Sequence, residues 1–274
     1  AKEIQSEKGL RAMPVGVAPV GFGGVIWPRA PHFLAAAARE AGLPFCLSTV
    51  STAPLEEIAQ VAGCSGWYQL YAMADAETNR AILARARKAG YRVLVITVDV
   101  PKKMRRDHDM RNGFGIPPRL GPGFVAQTAM APAWALAMAR ETLRAGPPRF
   151  ANIVPHMPGG LSNAEMSMRF QAARDGRITR SKLAWYRDLW EGPLVVKGLL
   201  SAGEAVAAKE AGADGVVVSN HGARQVDAAP SAIEVLPAIR EAVGPGFPLL
   251  ADGGVRTGLD IMRFLAKGAD MVLA

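Results

Sequence analysis

Short, almost wholly apolar runs recur along this chain, and each gives way abruptly to small or polar residues. Runs of this kind read as strands buried on both faces, because a strand with one wet face would alternate. Met13–Val20, Pro44–Thr49, Trp67–Tyr71 and Val93–Val100 supply the strands of the first half. Leu194–Leu199, Gly215–Ser219, Pro248–Ala251 and Met271–Ala274 supply those of the second. Between them lie stretches of helical composition: Ala30–Ala41, closed by Gly42, then Pro54–Ala62 and Ala76–Ala89. In the second half come Ser201–Ala211, Ser231–Val243 and Leu259–Ala266, followed by Gly268. A glycine just past a helix is a common stop signal. Strands alternating with helices predict parallel β/α units, and eight of them predict an α/β TIM (β/α)8 barrel.

The interval from Lys102 to Gly192 breaks that rhythm, so a long insertion, about residues 102–182, is expected after the fourth strand of a single 1–274 barrel domain. Its middle is rich in Pro and Gly, which argues against a second compact domain. Within it, Ala133–Ala145 predicts a helix with Trp134, Ala137 and Met138 on one side, and Leu183–Trp190 predicts the helix belonging to the fourth strand.

The net charge of +8 sharpens this picture. Pro101–Ala151 holds nine Lys and Arg against three acids, and so carries six of the eight excess charges. A uniform basic coat would suit nucleic acid, whereas a concentrated segment suits a smaller anionic partner, so no nucleic acid is expected. The Ala133–Ala145 helix reads either as a lid or subunit contact or as a membrane-surface segment, and basic charge beside apolar residues favours the second. No run approaches the length of a membrane span. Cys46 and Cys64 have no metal-ligand spacing and read as buried or inert thiols in a reducing compartment, so no metal is expected.

The polar residues gather where these strands end, the end at which a barrel builds its active site. Ser48 and Thr49 end the second strand, Gln69 and Tyr71 the third, Thr97 and Asp99 the fourth, and Lys197 the fifth. Ser219, His221 and Arg224 end the sixth, and Asp252 and Arg256 the seventh; the first, Ala18-Pro19-Val20-Gly21, offers backbone only. A buried Lys197 without an anionic partner would be costly, which implies a ligand. His32, His108 and His156 read as structural histidines.

Ser219-Asn220-His221-Gly222-Ala223-Arg224-Gln225, followed by Asp252-Gly253-Gly254-Val255-Arg256, resembles the FMN-dependent L-2-hydroxy acid oxidases and dehydrogenases. The second motif is shared with other phosphate-binding barrels; the first is specific. The resemblance implies that His221 takes the substrate proton and that Asp99 orients it. It implies that Arg106 and Arg224 bind the substrate carboxylate and that Tyr71 hydrogen-bonds the substrate. For FMN it implies Lys197 at the pyrimidine edge of the ring, Ser48, Gln69, Thr97 and Ser219 as polar contacts, and Ala18, Pro19 and Val20 along the ring. Asp252 would hold the ribityl hydroxyls, with Gly254 and Arg256 on the phosphate.

Leu183–Leu200 and Pro147–Ile153 look like the membrane-associated (S)-mandelate and L-lactate dehydrogenases, which pass electrons to a quinone. In the loop after the first strand, oxidases of the family tend to carry Ala where dehydrogenases carry Gly, and this chain has Gly21. The expected activity is oxidation of a mandelate-like or lactate-like L-2-hydroxy acid to the 2-keto acid. The alternatives are an oxidase that releases hydrogen peroxide, or another FMN-barrel oxidoreductase or isomerase. A homotetramer is expected, cytoplasmic or peripheral on the inner face of the cell membrane, with membrane contact through 101–151. Family members begin earlier, with an N-terminal segment, and continue into closing helices. This chain is expected to be a fragment of such a protein, weak in FMN binding by itself.

Overall fold

The computed structural model describes residues 13–101, 107–113 and 121–274. Eight parallel strands form the sheet: β1 Val15–Gly16, β2 Phe45–Ser48, β3 Gly66–Tyr71, β4 Val93–Thr97, β5 Leu194–Leu199, β6 Gly215–Val218, β7 Leu249–Ala251 and β8 Met271–Leu273. Each strand pairs with its sequence neighbour, and β1 pairs with β8. A parallel bridge between Val17 and Phe45 joins β1 to β2 and closes the ring. The fold is the expected TIM barrel.

Helices α1 Gly23–Ile26, α2 Ala30–Glu40, α3 Leu55–Ala62 and α4 Ala76–Ala89 follow in the first half. The chain between β4 and β5 carries α5 Asp107–Arg111, α6 Pro122–Ala129, α7 Pro132–Ala145, α8 Asn163–Ala173 and α9 Arg180–Leu189. Helices α10 Ala202–Glu210, α11 Ala232–Val243 and α12 Gly258–Ala266 complete the set. The insertion is thus more helical than its composition suggests. Helices α6 and α7 each begin with Pro in their first turn, where a missing N–H costs nothing. Helix α8 is started by a capping box in which Ser162 and Glu165 exchange side-chain-to-backbone hydrogen bonds. On α7, Trp134, Ala137 and Met138 are half-buried on one side while Leu136 and Leu143 are exposed, and the Trp134 indole donates to the Val25 carbonyl at 3.2 Å.

The core has two layers. The larger lies between strands and helices and includes Leu47, Leu70, Ile96, Val196, Val218 and Leu236. The smaller fills the barrel: Cys46, Trp67, Val93, Val95, Val195, Val217, Leu250, Met271 and Leu273. Because side chains alternate along a strand, one more inward position beyond each apolar plug residue falls on Ser48, Gln69, Thr97, Lys197, Ser219 and Asp252. All six are buried. The barrel is therefore apolar below and polar at its C-terminal mouth, and along β2 to β7 the change happens within one inward step.

Cys46 is buried, and burial pushes its thiol well above the ordinary range. Of the two alternatives, buried or inert, Cys64 is not the buried one: it is exposed, in the turn between α3 and β3. His32 bonds Glu57 at 2.9 Å, and His156 lies 3.1 Å from Arg85, both in structural settings. The His108 side chain lies outside the described residues.

Candidate active site

The mouth of the barrel is organised by one hydroxyl. Ser219 Oγ accepts from Lys197 Nζ at 2.8 Å and from the His221 backbone N–H at 3.0 Å. The buried cation of β5 and the histidine loop after β6 are thereby fixed to the same end of the barrel. The other oxygen near Lys197 Nζ is Asp252 Oδ2, also at 2.8 Å. This corrects the expectation that Lys197 lacks an anionic partner: ring closure brings Asp252 of β7 to it. The unmet demand lies instead on Asp252 Oδ1, which is buried without a hydrogen-bond partner among the described residues.

His221 is held in an unusual backbone. His221, Gly222 and Ala223 have φ of 58°, 63° and 57°, a run of left-handed residues that costs non-glycine residues energy. Local hydrogen bonds stabilise the turn. The Asn220 side chain accepts from Ala223 N at 3.3 Å and donates to the Pro230 carbonyl at 3.3 Å. Gly253 lets this turn come close, because a Cβ there would lie 2.9 Å from Asn220 Oδ1.

The imidazole then reaches across the mouth. His221 Nδ1 lies 2.9 Å and 3.1 Å from the two oxygens of Asp99, beyond the end of β4. A carboxylate accepts only, so it selects the tautomer with hydrogen on Nδ1 and leaves Nε2 as a lone-pair acceptor. Nε2 faces the Tyr71 phenol at 3.5 Å. Asp99 can approach because β5 is irregular beside it. Gly198 has φ of 106°, and a Cβ there would fall 2.5 Å from Asp99 Cγ.

The remaining predicted residues form two groups. Ser48 Oγ donates to Gln69 Oε1 at 2.9 Å, and Gln69 Nε2 donates to Thr97 Oγ1 at 2.9 Å, a buried polar row across β2, β3 and β4. Ala18 packs against the barrel plug, while Val20 is exposed on the loop after β1. Gly254 has φ of 74° with open space above it, and Arg256 is exposed, its N–H bonded to Asp260 at 3.2 Å. Arg224 stands at the rim, paired with Asp109 at 3.0 Å. Asp109 stands in the charged run 102–111, which reads as solvated surface. Arg106 lies outside the described residues.

Over residues 10–274 the sequence matches the family described as FMN-dependent dehydrogenase. The chain belongs to that family. The dehydrogenase is 44% identical over 264 residues to an L-lactate dehydrogenase of Caulobacter vibrioides, covering 96% of this chain and 68% of the relative. It is 41% identical over 263 residues to the L-lactate dehydrogenase of Pseudomonas aeruginosa, with the same coverage. Among solved structures, an (S)-mandelate dehydrogenase described as a monotopic membrane protein superimposes with a TM-score of 0.88. It shares 38% identity, over 96% of this chain and 68% of that one. A mandelate oxidase follows with a TM-score of 0.74 and 34% identity, over 96% of this chain and 65% of that one.

FMN is therefore the cofactor of the dehydrogenase. The mouth suits it in three respects. Asp252 Oδ1 is a buried acceptor that a ligand hydroxyl would satisfy. Lys197 places a buried positive charge beside it. The left-handed Gly253 and Gly254 shape the loop after β7.

Proposed function

We propose that this chain oxidises an L-2-hydroxy acid to the 2-keto acid, with His221 as base. The reading is carried by one observation: an imidazole whose Nδ1 is held by a carboxylate and whose Nε2 faces a phenol, over a buried Lys–Asp pair. Lactate-like and mandelate-like acids are the proposed substrates, supported by the names of the similar enzymes.

When bound, FMN supplies a two-electron acceptor. His221 Nε2 accepts the proton that leaves the hydroxy acid, and Asp99 offsets the charge the ring then carries. Tyr71 donates to the substrate. Arg224, and Arg106 with it, take the carboxylate, for which a planar guanidinium fork is suited. Lys197 and Asp252, the Ser48–Gln69–Thr97 row, Ser219 and the backbone of Ala18, Pro19 and Val20 would hold the flavin. Gly254 and Arg256 would hold its phosphate.

Gly198→Ala tests the support of the base. It is expected to displace Asp99 and lower kcat by about 10²-fold, with FMN affinity within about threefold of wild type. Unchanged kcat would remove Asp99 from the mechanism.

A membrane quinone is the proposed acceptor. Gly21 supports it as the residue the dehydrogenases favour, and Ala there would displace Val50, because a Cβ would lie 2.7 Å from Val50 Cγ2. Among the described residues no helix is long and apolar enough to cross a membrane. Helices α6 and α7 and the turn between them instead expose Val125, Met130, Leu136 and Leu143 beside Arg140 and Arg144. This face is proposed to rest on the inner surface of the cell membrane. Leu136→Glu with Leu143→Glu is expected to abolish sedimentation with anionic vesicles and leave activity with a soluble dye intact. Peroxide release at the rate of substrate turnover would favour oxygen as acceptor. The proposed homotetramer is read by light scattering on the same samples.

A further inference from the structure

Arg174 follows α8 and enters an isolated antiparallel bridge with Met73 at the mouth. Its neighbours in the run Arg174-Asp175-Gly176-Arg177 suggest a solvated turn. Asp175, however, pairs with Lys182. The Arg174 guanidinium goes to an aromatic face instead: Cζ lies 5.8 Å from the centroid of the Tyr71 ring. Its Nε is buried with no hydrogen-bond partner among the described residues. Phe170 meets the same ring edge-on at 6.4 Å, so α8 and the residue after it contact Tyr71 with both an apolar and a charged group. Burial holds the guanidinium below its ordinary range, and Tyr71 opposes that shift. A half-buried cation lodged on an aromatic face beside the proposed base is poorly explained as a surface charge.

We propose that Arg174 is a positioning residue for the substrate, acting through Tyr71: its charge over the ring makes the phenol a stronger hydrogen-bond donor to a bound anion. A cation on the face draws electron density from the ring, which stabilises negative charge developing on the phenol oxygen. The effect on catalysis rests on the reading that Tyr71 hydrogen-bonds the hydroxy acid. The effect on the phenol does not.

The two are separable because the chain has four tyrosines. Burial pushes Tyr68, Tyr91 and Tyr186 above the ordinary phenol range, so their signals stay flat where an ordinary phenol titrates. Among the described residues, the charged and titratable groups around its oxygen are His221 from the loop after β6, Asp99 behind it from β4, and Arg174. The FMN-loaded protein, with tyrosine labelled by carbon-13 at the hydroxyl-bearing ring carbon, gives a Tyr71 signal assigned with Tyr71→Phe.

Arg174→Met is expected to raise the Tyr71 midpoint by about half a unit to one and a half units, and Arg174→Lys to restore most of it. KM for the hydroxy acid should rise about twofold to thirtyfold in Arg174→Met with kcat unchanged. In a Tyr71→Phe background the same substitution should change KM by less than about twofold. An unmoved midpoint, or a KM effect of full size without the phenol, would overturn the proposal. A midpoint that moves while KM stays put upholds the coupling and overturns the place of Tyr71 in substrate binding.

Discussion

His221→Asn should lower kcat by about 10²-fold to 10⁴-fold, the usual cost of losing a positioned general base, while FMN uptake and melting temperature stay near wild type. Asn is chosen because it tolerates the left-handed backbone that His221 adopts at φ of 58° and that most residues resist. Its amide has no basic nitrogen at neutral pH, so it preserves the turn and removes the proton acceptor. Rapid mixing with substrate without oxygen isolates the reductive half of the cycle from the acceptor. Turnover within about tenfold of wild type would mean that the proton goes elsewhere, and that the Asp99–His221–Tyr71 array is structural.

Lys197→Met should be the more damaging change to the folded protein. Lys197 and Asp252 are both buried, and truncating one partner of such a pair leaves the other charge desolvated and unpaired, at a cost of about 3–5 kcal/mol. For a chain of this size that corresponds to a fall of roughly 10 °C in Tm. FMN affinity should fall with it, because the polar end of the site loses its only buried cation among the described residues. Adding Asp252→Asn should recover much of the stability and none of the flavin binding. Calorimetry on the two variants beside a flavin titration reads both. Equal loss of stability in the single and double variants would show that packing, rather than the unpaired charge, accounts for the effect.

Much of this site is legible in the sequence, for a reason visible in the barrel. The inward positions are spaced by two along every strand, so the last apolar residue of each plug points to the polar residue that follows: Cys46 to Ser48, Val95 to Thr97, Val217 to Ser219, Leu250 to Asp252. Strand ends can thus be read from local pattern. What local pattern does not carry is which strand ends meet. Lys197 reads as an unpaired cation until ring closure sets Asp252 against it. Arg174 reads as surface because Asp175 and Gly176 follow it. Asp109 reads as one charge among many, yet it pairs with Arg224. The helices missed in the insertion have the same origin. Pro122 looks like a breaker but starts α6, and α8 depends on a capping box rather than on a clear apolar stripe.

The measurement closest to the central claim is anaerobic mixing of the FMN-loaded, full-length protein with single enantiomers of lactate and mandelate, followed by flavin absorbance. The L-2-hydroxy acids should bleach the flavin in a single rapid phase and yield the matching 2-keto acid, with the opposite enantiomers inert. A flavin that binds fully and stays oxidised with every L-2-hydroxy acid offered would contradict the account.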